Sequence, residues 1–291
     1  MLRTFVALLR AIRFEQTAFA LPFALTSAFV AAGGWPRLWD LGWILVAMVG
    51  ARTAGMAFNR LVDADYDRQN PRTAKRALVT GELSRPQVQL LLVLALVAYF
   101  LAAGMLNRLC LLLSPLALVV LLGYSYTKRF TVLTHWVRGA ALGIAPVGAW
   151  IAVRGHVGLA SLALGAAVMM WTAGFDIIYA CQDIAFDRAH GLFSLPARWG
   201  ARRALVISSL NHLITVWLLL LFARLADLGA IYLLGVLVLI PVLWYEHHVV
   251  QPEDLSRAEV ASFFANGVFS IVLFCFAAAD VILGPNVFLR L

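Results

Sequence analysis

The stretch LGWILVAMVGARTAGMAFNRLVDADYDR, residues 41–68, joins two kinds of sequence end to end. From Leu41 to Phe58 the only charge is Arg52. A helix needs about 20 apolar residues to cross the hydrocarbon of a bilayer. From Asn59 to Arg68 the chain then carries Asp63, Asp65 and Asp67 beside Arg60 and Arg68, residues that belong at or beyond a membrane edge. The segment reads as a membrane span that ends in a charged motif.

Outward from this stretch, similar apolar runs lie near 17–32, 88–105, 109–126, 137–153, 158–181, 204–223, 228–245 and 260–281, nine spans in all. Pro115 and Pro146 make the two runs between 109 and 153 the hardest to delimit, although membrane helices tolerate proline. A membrane barrel is excluded, because its strands alternate in polarity and these runs are continuous. The expected fold is all-α: one polytopic domain over 1–291, with nine helices around a central cavity. With 291 residues 63% hydrophobic and 13% charged, the chain has too few charges for a polar shell. A soluble enzyme, a disordered chain and a nucleic-acid binder are excluded despite the net charge of +8. The bilayer itself is the expected partner.

Seventeen of the 23 Lys and Arg residues fall on the side of the N-terminus and the loops after even-numbered spans. Five fall on the other side, and Arg52 lies within a span. The positive-inside rule then places the N-terminus and the charged motif in the cytoplasm. The expected location is a cytoplasmic membrane, the inner one in a bacterium. Arg3, Arg10 and Arg13 among apolar residues at helical spacing give residues 1–16 the character of an interfacial helix. A cleavable signal peptide is the lesser alternative there. Cys110, Cys181 and Cys275 form no C-x-x-C and suggest neither a metal site nor disulfides.

A second charged motif, DIIYACQDIAFDR at 176–188, closes the sixth span as 59–68 closes the second. Helical residues four apart share a face. Asn59, Asp63 and Asp67 therefore form one stripe, and Tyr179, Asp183 and Asp187 another, with Asp176 two turns deeper than Asp183. Asp63–Arg68 aligns with Asp183–Arg188 as an internal repeat, and Ala185 in the place of Asp65 argues against Asp65 as a ligand. Acids so clustered need a cation, and hard oxygen donors on two helices suit Mg²⁺ sharing phosphate oxygens. The plainer reading, acids that balance neighbouring arginines, is weakened by the second copy.

Arg68, Arg72, Lys75, Arg76, Arg85, Lys128 and Arg129 follow the motifs on the same side. Metal with guanidinium and ammonium donors is what a diphosphate requires. The positive-inside rule accounts for many such residues, and Arg138, Arg202 and Arg203 read as anchors. Arg52 lies two turns deeper than Asn59 on its stripe and needs an anion, either Asp176 or a substrate carboxylate.

At these residues the sequence resembles the UbiA family of intramembrane aromatic prenyltransferases. The likeness rests on N-x-x-x-D-x-x-x-D at Asn59, Asp63 and Asp67 and on Y-x-x-x-D-x-x-x-D at Tyr179, Asp183 and Asp187. It extends through Arg52, Arg72-Thr73, Arg76, the Tyr-Ser-x-x-Lys run ending at Lys128, and Ser194–Arg198. Asn59-Arg60 and Val79 depart from the commoner family pattern and look like the branch acting on 4-hydroxybenzoate or 1,4-dihydroxy-6-naphthoate. The resemblance implies Mg²⁺ held by Asn59, Asp63, Asp67, Asp183 and Asp187, with a polyprenyl diphosphate on Arg72, Arg76 and Lys128 and its tail in an apolar tunnel. It further implies prenyl transfer to an aromatic carboxylate acceptor in ubiquinone or menaquinone biosynthesis. Arg52 would hold the acceptor carboxylate and Asp176 its hydroxyl. Tyr179 would stabilise an allyl cation or simply pack. An ion-coupled transporter and another Mg²⁺-dependent membrane lipid transferase are the rivals. The D-G-x-x-A-R signature of the CDP-alcohol phosphotransferases is absent.

Overall fold

The computed structural model describes residues 8, 14–252, 254–255 and 258–284, with the side chains of 14–19 and 258–264 left aside. The expected interfacial helix at 1–16 falls almost wholly outside them. The long helices are α1 (Phe14–Ala32), α2 (Leu38–Gln69), α3 (Arg85–Leu106), α4 (Arg108–Thr127), α5 (Thr134–Arg154) and α6 (Leu159–Ala180). A 3₁₀ turn (Cys181–Asp183) and the short α7 (Ile184–Ala189) and α8 (Leu195–Trp199) follow, then α9 (Ala201–Leu225), α10 (Ala230–Val249) and α11 (Ala258–Leu283). Eight helical segments among the described residues are long and apolar enough to cross a membrane, and Ala20–Ala32 of α1 is a shorter apolar stretch. The architecture is that of an all-helical, polytopic integral membrane protein. Both proline-bearing runs are continuous helices, with Pro115 inside α4 and Pro146 inside α5.

Length explains the first motif. Helix α2 has 32 residues and rises about 48 Å, against about 30 Å of hydrocarbon. The helix does not stop at Phe58, where its apolar run ends. It continues through Asp67 to Gln69, and the Asn70 N–H closes it on the Tyr66 carbonyl. The second motif is built differently. After Ala180 the chain tightens into the 3₁₀ turn before resuming as α7, so Tyr179, Asp183 and Asp187 are not one regular α-helical stripe. A 3₁₀ turn holds three residues where an α-turn holds 3.6, which rotates everything beyond it.

Helix α6 is the axis of the bundle: 72% of its apolar window is buried, against 11–39% for the other spans. Trp171 of α6 stacks on Phe269 of α11 at 5.1 Å and meets Phe23 of α1 at 4.9 Å. Phe222 and Tyr232 extend that core into α9 and α10. Leu112, Leu116 and Val119 of α4 and Leu213 and Trp217 of α9 face outward, as lipid-facing positions should. In a bilayer, close helix contact depends on small residues, because lipid is as apolar as leucine. The α5–α6 seam follows this rule. A methyl group on Gly139 would land on the Met169 carbonyl, and one on Gly143 on the Gly165 carbonyl. Backbone therefore touches backbone along α5 and α6, and side chains at the end of that seam meet directly. At the ends of α10 and α11, the Asp280 carboxylate accepts from the Gly229 and Tyr232 amides at 2.7 and 3.2 Å and caps α10.

Candidate active site

One cavity of about 210 Å³ collects the charged ends of α2, α4, α5 and α6. Asn59, Asp63, Asp67, Arg72, Arg76, Lys128, Asp176, Tyr179 and Asp183 all line it, as the sequence led us to expect. Two expected members do not. Asp187 is fully buried behind the wall, because the 3₁₀ turn rotates α7 away from the stripe. Arg52 lies one turn before the cavity-lining Met56 and is not part of the lining. It does not pair with Asp176, which has other partners.

Each acid faces its own cation. Arg129 Nη2 lies 3.2 Å from Asp63 Oδ1, and Asn59 Nδ2 donates to the other oxygen at 2.7 Å. Arg76 Nη1 donates to both oxygens of Asp67, at 2.6 and 2.5 Å. Arg72 makes a fork on Asp183, Nε to Oδ1 at 3.0 Å and Nη2 to Oδ2 at 2.5 Å. Asp187 is held by Lys128 Nζ at 2.7 Å and by the Ser194 hydroxyl at 2.5 Å. Asp176 receives the His135 Nδ1–H at 2.7 Å on one oxygen and Arg138 Nη1 on the other. Five acids and five cations are matched pairwise, and Arg60, buried in the lining and donating to Asn59 Oδ1, adds a sixth cation, so the site is dense with charge. Such pairs hold when each charge is hydrogen-bonded as well as paired.

Local structure delivers the cations. The loop after α2 folds back in successive turns, with Thr73 and Ala74 amides on the Asn70 carbonyl and the Arg76 amide on Thr73. Asn70 accepts the Arg72 amide at 2.9 Å and donates to Asp183 at 3.2 Å, which ties the first motif's loop to the second motif. The Arg129 guanidinium lies between the Tyr66 and Tyr126 rings, 5.1 and 5.0 Å from their centres. The Phe193 amide donates to the Lys128 carbonyl at 2.7 Å, which locks the loop before α8 over α4.

The donor set fits a hard divalent cation in its chemistry: carboxylate and amide oxygens of Asn59, Asp63, Asp67 and Asp183 line one chamber. Among the described residues no three acids, histidines or cysteines converge closely enough to hold a metal as they stand. Their lone pairs point at arginine and lysine instead. Among the described residues, the buried Nε of Arg129 has no hydrogen-bond partner, a donor suited to an anion. The arrangement therefore fits a metal and a polyanion arriving together, with acids passing to the metal and cations to the anion.

Residues 20–268 match the UbiA prenyltransferase family. The chain belongs to that family. It is accordingly a prenyltransferase, an enzyme of the class that the paired motifs resembled. A 4-hydroxybenzoate octaprenyltransferase of Citrobacter koseri is 30% identical over 250 residues, covering 86% of both chains. Its counterpart from Francisella tularensis is 27% identical over 260 residues, covering 89% of both. Among solved structures, the apo structure of a UbiA homolog from Aeropyrum pernix K1 matches with a TM-score of 0.83 at 36% identity, covering 92% of this chain and 98% of that one. A UbiA homolog from Archaeoglobus fulgidus bound to GPP and Mg²⁺ matches with a TM-score of 0.70 at 22% identity, covering 94% of this chain and 99% of that one. This last likeness speaks for the fold.

Several cavity residues escaped the sequence reading. Arg138, expected to be an anchor, lies in the cavity wall on Asp176. His135, Asn70 and Arg129 also line it. Arg129 had a signal, since it adjoins Lys128 in a basic pair. His135 and Arg138 had one too: their spacing of three puts both on the same face of α5. Outside this cavity, His247 meets His212 with Nε2 2.8 Å from Nδ1, while its neighbour His248 stacks on Trp244.

Proposed function

We propose that this chain transfers a polyprenyl group from a polyprenyl diphosphate to a hydroxylated aromatic carboxylate, with Mg²⁺ as cofactor. The single observation that carries the reading is the pairwise match of acids and cations around one cavity at the ends of apolar helices. Relatives named 4-hydroxybenzoate octaprenyltransferase favour a 4-hydroxybenzoate-like acceptor and a role in ubiquinone biosynthesis. 1,4-Dihydroxy-6-naphthoate, on the route to menaquinone, is the other acceptor of the right chemistry.

Asp63, Asp67 and Asp183, with Asn59 beside them, are the residues that would hold the metal from the cavity, and Asp187 joins them from behind Lys128. Bound there, Mg²⁺ would neutralise charge on the leaving diphosphate. Arg72, Arg76, Lys128 and Arg129 would bind its remaining oxygens. Their donors act where charge grows as the allylic C–O bond breaks and the diphosphate leaves with the electron pair. Tyr179 lies beneath the Arg72 guanidinium, 5.2 Å from its ring centre, so it stands next to the bond that breaks. Its face suits the allylic cation. The acceptor ring attacks that carbon, a C–C bond forms, and the ring proton passes to the released diphosphate, which restores aromaticity. Asp176 has both oxygens held by His135 and Arg138, so we assign it positioning rather than proton transfer.

The proposed setting is a bacterial cytoplasmic membrane, with the cavity and the N-terminus on the cytoplasmic side. The basic-residue asymmetry supports this orientation. The test is prenyl transfer by purified protein, with mass spectrometry of the lipid product for each acceptor. Asp63→Ala and Asp183→Ala should each lose most activity. Undiminished turnover in either would remove the metal assignment.

A further inference from the structure

The proposed reaction leaves two cavity cations without a task, Arg60 and Arg138, and Arg60 is buried and turned onto the Asn59 side-chain oxygen. Arg72, Arg76, Lys128 and Arg129 each face an acid of the two repeated motifs, where the diphosphate chemistry lies. Arg138 faces Asp176 instead. We propose that Arg138 grips the carboxylate of the aromatic acceptor, which makes it the residue that selects aryl acids over neutral phenols. This inference rests on the prenyl-transfer reading above.

The first argument is valence. A guanidinium has five N–H donors on three nitrogens, and Arg138 uses one nitrogen, Nη1, on Asp176. Among the described residues, Nε and Nη2 have no hydrogen-bond partner, and the side chain is 40% exposed. Asp176, by contrast, is almost closed: both oxygens are engaged and its side chain is 12% exposed. Here the anion is hidden and the cation presents the rest of its fork to the cavity. Two parallel N–H donors match a carboxylate.

Rigidity is the second argument. The Leu195 amide donates to His135 Nε2 at 3.3 Å, so the ring hydrogen is on Nδ1 and is given to Asp176. His135 is 2% exposed. Asp176 is thus fixed from α5 and from the start of α8, and Arg138 is fixed by Asp176. The glycine seam between α5 and α6 holds the two helices close enough for these side chains to touch.

Position supplies the third. Asp176, Tyr179 and Asp183 follow one another along the same wall, and the rise from Asp176 to Asp183 is about 10 Å. That separation accommodates one benzoate-sized ring, with its carboxylate on Arg138 and its face beside Tyr179. The hydroxyl end then points towards Arg72 and Asp183, where the allylic carbon is released. Arg52 lies outside the cavity lining, so Arg138 replaces it as the carboxylate anchor.

The test uses the full-length protein with geranyl diphosphate and Mg²⁺, and with 4-hydroxybenzoate and its methyl ester as paired acceptors. Charge-assisted hydrogen bonds of this kind correspond to about 10- to 100-fold in affinity. Arg138→Gln should lower the acid-to-ester ratio of kcat/KM by that factor, through acceptor KM, with the KM for geranyl diphosphate unmoved. Arg138→Lys keeps a cation against Asp176, loses the fork and should fall between. It carries the test if the Gln variant does not fold. An unchanged acid-to-ester ratio in the folded variants overturns the inference. So does a collapse of that ratio in Arg52→Gln but not in Arg138→Gln. Both results leave prenyl transfer intact. Wild-type protein that prenylates no hydroxyaryl acid overturns the functional reading, and this inference with it.

Discussion

Metal and diphosphate should bind this protein as a unit, each poorly without the other. Four motif acids are matched by four cations that are 23–34% exposed: Arg76, Arg72, Arg129 and Lys128. Mg²⁺ alone would take the acids and leave four cations facing one another. Diphosphate alone would take the cations and leave four carboxylates. When both bind, every charge changes partner and none is stranded. Partly exposed pairs are worth about 0.5–1 kcal/mol each after solvent screening. Four of them give a coupling of about 2–4 kcal/mol, or about 30- to 700-fold in affinity. The assay is isothermal titration calorimetry with Mg²⁺ and a non-hydrolysable geranyl thiodiphosphate, separately and in sequence. The association of the two ligands without protein is subtracted. A single substitution gives a sharper sign. Arg76→Gln releases Asp67, so Mg²⁺ alone should bind a few-fold more tightly while the diphosphate analogue binds more weakly. The reasoning is refuted if Mg²⁺ binds the ligand-free wild type as tightly as the analogue-loaded protein.

Three further outcomes follow from particular contacts. Gly143→Ala puts a methyl group on the Gly165 carbonyl, and should lower stability by about 1–3 kcal/mol in thermal unfolding in detergent. Acceptor KM should suffer in that variant more than diphosphate KM, because α5 carries Arg138. Ser194→Ala removes one of two partners from the fully buried Asp187, which should cost about 1–3 kcal/mol by the same measurement. Asp280→Ala uncaps α10, with an expected loss of about 1–2 kcal/mol and no change in calorimetric binding of Mg²⁺ with the analogue.

The legibility of the site in the sequence tracked its regularity. Asn59, Asp63 and Asp67 sit on an unbroken helix, so counting by fours placed all three correctly in the cavity. The same count failed at Asp187, because a three-residue 3₁₀ turn intervenes and no residue in Cys181-Gln182-Asp183 announces it. Apolar runs marked where the chain enters lipid but not where α2 ends, since a helix extends past the hydrocarbon without any change of backbone. His135, Arg138 and Ser194 matter through partners met across helices: Asp176 is 41 residues from His135. Such contacts depend on how closely α5 and α6 approach, which the sequence encodes only as glycines with several other uses.

The overlong α2 has a consequence for the kind of molecule handled here. About a third of its length projects past the hydrocarbon, and the motif acids are on that third. A diphosphate lipid is itself half oil and half salt, and its weak bond lies at the junction. A protein that sets its charges at the same boundary meets the lipid as it already floats: the tail stays among acyl chains and the head stays wet. Neither solvent need be given up for the bond between them to break.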